Sequence, residues 1–127
     1  MPIEVGMSFT SETIVDRTNL ACTVGSGSIE VFATPMMIAL MENAAAACIA
    51  GCLEAGQSSV GTKVDVEHTA ASVAGMKICA TATVITTDRR RVDFKVTASD
   101  SRGEIGRGTH TRFIIDINKF MEKAKAK

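Results

Sequence analysis

The chain has 127 residues, and its 14 basic side chains balance 14 acidic ones, so the formal net charge is zero. This length fits one domain, and a hydrophobic fraction of 46% indicates a buried core rather than a disordered chain. Aromatic residues make up only 4%, with neither Tyr nor Trp. A neutral chain with so few stacking side chains is not expected to bind nucleic acid.

The cysteines and the amino terminus bear on the cellular compartment. None of the four cysteines forms a CxxC pair, and we expect reduced thiols that act as small apolar side chains. Residues 1–10 have neither a basic start nor an apolar stretch, so they do not resemble a secretory signal. We therefore expect a cytoplasmic protein.

The first predicted elements are a strand near Met7 to Val15 and a long helix from Pro35 to Leu53. The helical segment is rich in Ala, Met and Leu, which favour helices, and Thr34 directly before Pro35 is the expected N-cap. The segment is apolar all round, which indicates burial on nearly every side. Glu42 near its middle makes a membrane span costly, so we expect no membrane association.

Alternating patterns predict the remaining strands. The first such pattern, over residues 60–70, places alternate residues on one face of a strand, namely Val60, Thr62, Val64, Val66, His68 and Ala70. Further strands are expected over Met76–Thr87, around Val92–Ala98 and over Glu104–Ile117. The short connections between these segments predict an antiparallel meander.

These elements predict a single α+β domain over residues 1–127, with an antiparallel sheet curled around one central helix. A curled sheet leaves an open edge and an incompletely covered helix. We therefore expect a homodimer, with a tetramer as an alternative.

Three residues are candidates for chemistry. Glu42 is a carboxylate among apolar helix positions, and His68 lies on the apolar face of its strand, so the two are expected to form a functional dyad. Thr34 at the helix start places a hydroxyl where developing negative charge is favoured. Each has a structural alternative: water contact for Glu42, a hydrogen-bonded core residue for His68, and a cap for Thr34.

Other motifs are excluded. His68 and His110 lack metal-ligand spacing with Cys or carboxylates, so no metal site is expected. The loop Gly25–Gly27 matches no phosphate-binding fingerprint, and no GxSxG elbow occurs.

Four segments together resemble the hotdog-fold thioesterases of the fluoroacetyl-CoA thioesterase type: VGSG (24–27), VFATPMMIALME (31–42), VGTKVDVEHTA (60–70) and GRGTHTRFIID (106–116). The resemblance implies a hotdog fold and a catalytic set of Thr34, Glu42 and His68. It also implies substrate contacts at Gly61 and Arg112, where the guanidinium would pair with a coenzyme A phosphate. An ordinary solvated strand charge is the alternative for Arg112.

We therefore expect an acyl-CoA thioesterase that acts at a homodimer interface without a cofactor beyond the coenzyme A of its substrate. The thioester oxygen would be held by backbone N–H groups at the helix start, and attack by Thr34, by Glu42 or by water stays open. Residues 16–30 contain no aromatic side chain, so a fluorinated substrate is not carried over. The alternatives are a non-catalytic acyl-CoA or small-ligand binding dimer and, less favoured, an enoyl-CoA hydratase.

Overall fold

The computed structural model describes all 127 residues and contains five strands and three helices. In chain order these are β1 (Ser8–Ile14), α1 (Ala21–Val24), α2 (Thr34–Ala50), β2 (Gln57–His68), β3 (Lys77–Asp88), β4 (Arg91–Asp100), β5 (Gly103–Asp116) and α3 (Ile117–Lys125). All strand pairs are antiparallel and form one sheet against which α2 packs. The predicted α+β architecture is confirmed.

Helix α2 begins one residue earlier than predicted. Its N-cap is Ala33, so Thr34 is the first helical residue and its hydroxyl makes no capping hydrogen bond. The expected cap at Thr34 is wrong because Pro35, with its fixed φ, occupies the second helical position rather than the first. The Thr34 hydroxyl is thereby available to another element.

The core lies between α2 and the inner face of the sheet. The alternation predicted for β3 and β4 is confirmed, since the apolar residue at every second position is fully buried. These residues are Ile78, Ala80, Ala82 and Val84 on β3 and Val92, Phe94, Val96 and Ala98 on β4. Small alanines at the centre of β3 let the helix lie close to the sheet.

The strand order is β1-β3-β4-β5-β2, so only β3, β4 and β5 form a meander. The prediction that β2 continues the meander is wrong, because β1 occupies the free edge of β3 and β2 pairs with β5 at the opposite edge. Residues 69–76 cross the ends of the intervening strands. Thr69 donates its N–H to Ile105 on β5, and the Ser72 hydroxyl donates to Asp100 on β4.

A β-bulge interrupts β2 between Gly61 and Lys63. The Cα of Gly61 faces Glu42 of the helix, and Val64 lies opposite His110, which is buried. Residues 61 and 64 therefore both point inward, and Val60 points to the other face. The predicted common face for Val60 through His68 is wrong before the bulge and correct from Val64 onward, because the extra residue shifts the alternation by one.

The side of α2 that faces away from the sheet is less buried than its composition predicts. Met37, Met41, Ala44, Ala45, Cys48 and Ile49 form the covered side of the helix. Ile38, Ala46 and Ala47 are half-buried, and Ala39 and Ala50 are exposed. One chain thus leaves an apolar strip of α2 uncovered, and its Ala46, Ala47 and Ala50 line a pocket with residues 57–59 of β2.

The sequence patterns missed α1 and α3. Helix α3 follows β5 directly, where the strand was expected to continue to Ile117. Ile117, Phe120 and Met121 recur at helical spacing and are partly exposed, and Lys123 and Lys125 lie in the last turn. None of the three helices combines the length and hydropathy required of a membrane-spanning segment.

Candidate active site

The first side-chain pair joins the start of α2 to the end of β2. Oγ1 of Thr34 lies 2.8 Å from Nδ1 of His68, within hydrogen-bond distance. Thr34 is exposed and His68 is half-buried, so the pair lies at the surface of the chain. The hydroxyl that does not cap the helix is instead oriented by an imidazole, an arrangement typical of an activated nucleophile or a proton relay.

The two ring nitrogens of His68 lie in different surroundings. Its Nε2 atom is buried and has no hydrogen-bond partner, whereas Nδ1 contacts Thr34. Burial lowers the pKa of His68 below its usual 6.5, against a smaller opposing contribution from the backbone of Ala70. A neutral ring can accept a proton at pH 7, and Nδ1, beside the Thr34 hydroxyl, is the ring nitrogen placed to do so.

The second cluster lies further along α2. Oε2 of Glu42 is 3.4 Å from Nη1 of Arg112 and 3.8 Å from Nε2 of His110. Both partners belong to β5, where residues two apart share the inward face. The Glu42 side chain is 39% exposed, whereas those of Arg112 and His110 are 9% and 1% exposed. A partly accessible carboxylate is thus backed by two buried nitrogen-bearing side chains.

Arg112 is a buried residue, not the solvated strand charge that was considered as an alternative. Its Nε donates to Oγ of Ser59 and its Nη2 donates to the Ser59 carbonyl oxygen, each at 2.9 Å. Its Nη1 contacts Glu42. With these donors engaged, the geometry favours a role in holding Glu42 over the contact with a coenzyme A phosphate implied by the resemblance.

Sequence patterns gave no role to His110, apart from excluding it as a metal ligand. Its Nδ1 lies 2.8 Å from the Lys63 carbonyl, so Nδ1 carries the proton and donates it. Nε2 then holds the lone pair and accepts from Nη1 of Arg112 at 3.3 Å. Burial is the largest cause that lowers the pKa of His110, and the charge of Arg112 adds to it.

Gly61 lies against the second cluster. A Cβ atom at this position would overlap Oε2 of Glu42 and would lie 3.0 Å from Cε1 of His110. Only a residue without a side chain leaves room for the carboxylate here. The sequence prediction of a substrate contact at Gly61 stays a prediction, whereas its steric role follows from this geometry.

Within one chain, the two clusters remain separate. Thr34 and Glu42 are eight positions apart on α2, which corresponds to roughly 12 Å along the helix axis. Glu42 has its contacts with His110 and Arg112, and His68 has its contact with Thr34. The predicted dyad of Glu42 and His68 is therefore not formed inside a single chain.

The start of α2 also offers fewer donors than expected. Pro35 has no N–H, and the N–H groups of Met36 and Met37 both donate to the Ala33 carbonyl. Thr34 alone keeps a backbone N–H without an internal partner among these first residues. The predicted oxyanion site of several helix N–H groups is wrong for this reason.

A cavity of about 270 Å³ adjoins the first pair, with Thr34 and His68 in its wall. Its other lining residues include Ala21 and Ser26 near α1, and Ala70 and Ala71 after β2. Most of these side chains are small, and together with Phe32 and Val31 they line an open pocket of mixed apolar and polar character beside the hydroxyl. Such a cavity is suited to an uncharged organic group attached to the reacting atom.

The model of the fluoroacetyl-CoA-specific thioesterase family matches residues 15–118. The chain belongs to this family. The fluoroacetyl-CoA thioesterase of Streptantibioticus cattleyicolor is 43% identical over 98 residues, which are 77% of this chain and 70% of that enzyme. The predictions of a hotdog thioesterase and of a thioester hydrolase are confirmed at this level.

Solved structures of related thioesterases share the fold of this chain. The fluoroacetyl-CoA thioesterase FlK is 35% identical with a TM-score of 0.94, over 100% of this chain and 98% of that one. A variant of FlK in complex with acetyl-CoA matches at 35% identity with a TM-score of 0.93, over 98% of both chains. A thioesterase superfamily member from Thermus thermophilus is 28% identical with a TM-score of 0.87, over 99% of this chain and 98% of that one.

Proposed function

We propose that this protein hydrolyses an acyl-CoA thioester to the free acid and coenzyme A at a homodimer interface, with Thr34, Glu42 and His68 as its catalytic residues. The observation that carries the proposal is the contact of 2.8 Å between Thr34 and His68 in the wall of an open pocket. The reaction needs no cofactor beyond the coenzyme A part of the substrate.

Thr34 and His68 act as a pair. Neutral His68 accepts a hydrogen bond from the Thr34 hydroxyl, which raises the nucleophilicity of that oxygen or orients a water molecule beside it. When the carbon–sulfur bond breaks, the thiolate needs a proton. If water attacks, Nδ1 of His68 returns the proton to the thiolate through the Thr34 hydroxyl. If Thr34 attacks, its oxygen carries the acyl group, so Nδ1 gives the proton to the thiolate directly and water then releases the acid.

Glu42 enters the site from the second subunit. The free edge of β2 lies next to the uncovered apolar strip of α2, and this pair of features supports an antiparallel association of two β2 strands. Such a pairing, centred near the middle of β2, would bring His68 at the end of one strand close to Gly61 of the partner subunit. Because Gly61 lies against Glu42 in each chain, the two clusters would then complete one site.

Mixing inactive subunits tests this arrangement. Chains with His68→Ala are refolded together with chains that carry Glu42→Ala, and hydrolysis is measured on the mixture. If the site spans two subunits, each mixed dimer contains one intact site, and activity returns to about a quarter of the native value. If both residues act within one chain, no mixed dimer has an intact site and activity stays absent.

In a matched control, the shared site predicts lost activity and the single-chain site predicts retained activity. Chains that carry both His68→Ala and Glu42→Ala are mixed with native chains. A site shared between subunits leaves mixed dimers without an intact site, whereas a site within one chain leaves one intact site in each. If the site is shared, activity returns in the first mixture and falls in the second. Incomplete refolding would instead lower activity in both mixtures.

The substrate is found with a panel of acyl-CoAs from acetyl to long-chain, including fluoroacetyl and aromatic acyl groups. Loss of thioester absorbance is the suitable readout, because four free cysteines would consume a thiol reagent. Multiple turnovers that vanish in His68→Ala support the thioesterase. Stoichiometric binding without turnover across the panel would instead favour a non-catalytic binding dimer.

A further inference from the structure

We propose that His110 is a positioning residue, which holds Arg112 and through it the carboxylate of Glu42 in the orientation the reaction requires. The inference rests on the proposed function, because it gives Glu42 a part in catalysis. His110 itself touches neither cavity wall nor solvent, since its side chain is only 1% exposed.

The bulge in β2 fixes the protonation of the ring. Where the register of β2 shifts between Gly61 and Lys63, the Lys63 carbonyl meets Nδ1 of His110 at 2.8 Å. A carbonyl can only accept, so Nδ1 must carry the proton. The other nitrogen of the neutral ring, Nε2, is then an acceptor that points toward Arg112.

The acceptor on His110 completes the hydrogen bonding of Arg112. Two donors of the guanidinium are taken by Ser59, at its hydroxyl and its carbonyl oxygen. Nη1 lies between Nε2 of His110 at 3.3 Å and Oε2 of Glu42 at 3.4 Å. The guanidinium is thus held on both sides, and its position determines where the carboxylate can bind.

The ring of His110 is itself held in place by β4. Phe94 stacks against it with ring centroids 6.1 Å apart and planes inclined by 27°. The groups that face the ring are therefore the Lys63 carbonyl from β2, Phe94 from β4, Arg112 from β5 and Glu42 from α2. Burial is the largest cause that lowers the pKa of His110; the charge of Arg112 adds to it, and the Lys63 carbonyl and Glu42 oppose it.

The consequence for Glu42 is a carboxylate with one oxygen fixed and the other free. Oε2 contacts Arg112, whereas Oε1 makes no hydrogen bond within the chain. The side chain is 39% exposed, so the carboxylate is open to water or substrate. Orientation of this kind contributes to turnover, and a displacement of about 1 Å costs up to about a hundredfold in rate.

Two amide substitutions test the roles of the two ring nitrogens of His110 one at a time. In His110→Gln, the side-chain oxygen can accept from Arg112 in place of Nε2. In His110→Asn, the shorter amide can donate to the Lys63 carbonyl in place of Nδ1 but leaves Arg112 without its acceptor. We expect kcat to fall at least about tenfold in His110→Asn and less than about threefold in His110→Gln, with KM within about twofold in both.

The His110→Asn and His110→Gln substitutions are then made again in the Glu42→Gln background. Because His110 acts through Glu42, the further change from His110→Asn should disappear there. Equal losses in the two single variants, or an additive loss in the Glu42→Gln background, would overturn the inference. If Glu42→Gln alone leaves kcat unchanged, the failure lies with the proposed role of Glu42 itself.

A spectroscopic measurement on the native chain tests the protonation of His110 without any activity assay. The sequence has only two histidines, so ¹⁵N spectra contain two rings that His68→Ala assigns. We expect His110 at pH 7 to carry its proton on Nδ1 and to have an unprotonated Nε2. The opposite tautomer, or a charged ring, contradicts the proposal regardless of any activity measurement.

Discussion

The inner face of Gly61 is filled by the carboxylate of Glu42, which occupies the space where any other residue would place its Cβ atom. A Gly61→Ala variant must displace this carboxylate, and Cε1 of His110 at 3.0 Å blocks the route on one side. We expect kcat to fall at least about tenfold, because Glu42 loses its orientation. Steady-state hydrolysis of the best acyl-CoA of the panel measures the effect.

Gly51→Ala is the matched control for this substitution. Gly51 follows α2 with φ of −71°, and a Cβ atom there would meet nothing within 4 Å. We expect native kcat in this variant. Comparable losses in Gly61→Ala and Gly51→Ala would contradict the steric account.

The Thr34 hydroxyl can be removed with little change in shape. Thr34→Val keeps the branched side chain and loses the oxygen that contacts His68, whereas Thr34→Ser keeps the oxygen. We expect kcat to fall about a hundredfold or more in Thr34→Val, and to stay within about tenfold in Thr34→Ser. Because Thr34 is exposed, neither variant should change the melting temperature appreciably. Native kcat in Thr34→Val would exclude the hydroxyl from the reaction.

Arg112→Met tests the two roles considered for the guanidinium. Loss of the guanidinium leaves the half-buried acceptors of Ser59 and the buried Nε2 of His110 unpaired, and we expect the free energy of unfolding to fall by about 1–3 kcal/mol. If Arg112 holds Glu42, kcat should fall more than KM rises. A variant of native stability with a raised KM and unchanged kcat would instead indicate contact with the coenzyme A phosphates. Urea unfolding followed by circular dichroism suits a chain without Trp or Tyr.

The two histidines should make stability depend on pH. The pKa of each is lowered by burial from 6.5, so the unfolded chain takes up protons before the folded one as the pH falls. Their contribution is complete above about pH 6.5 and is lost progressively below it. We expect the melting temperature in calorimetry to fall between pH 7 and 5, with a smaller fall in His110→Gln. Asp93 and Asp100, whose pKa values are lowered from 3.8, act only at more acidic pH.

Local patterns predicted most of the elements. Ile78 to Val84 and Val92 to Ala98 alternate cleanly because each strand has one buried face, and this signal needs no knowledge of neighbours. The strand order could not be read in this way, since the pairing of β2 with β5 depends on contacts between distant segments. The bulge at Gly61 was equally hidden, because glycine and threonine give no alternation to break.

The candidate site was predicted in part. Thr34, Glu42 and His68 stand out as polar residues at apolar positions, but which of them meet inside one chain depends on the length of α2. His110 was missed because its strand neighbours on the same face, Gly106 and Gly108, have no apolar side chains to mark that face as buried. A signal was present, since His110 and Arg112 are two apart on one strand and must share a face.

The unpaired edge of β2 concerns the newly synthesised chain as much as the finished enzyme. Gln57–His68 presents a row of backbone donors and acceptors that any extended segment can join, so a chain whose edge stays unpaired is open to aggregation. Lys63, Asp65 and Glu67 are exposed on its outer face, and their charges disfavour stacking with unrelated apolar strands. The edge that the proposed dimer would pair and the charges that protect it thus lie in the same twelve residues.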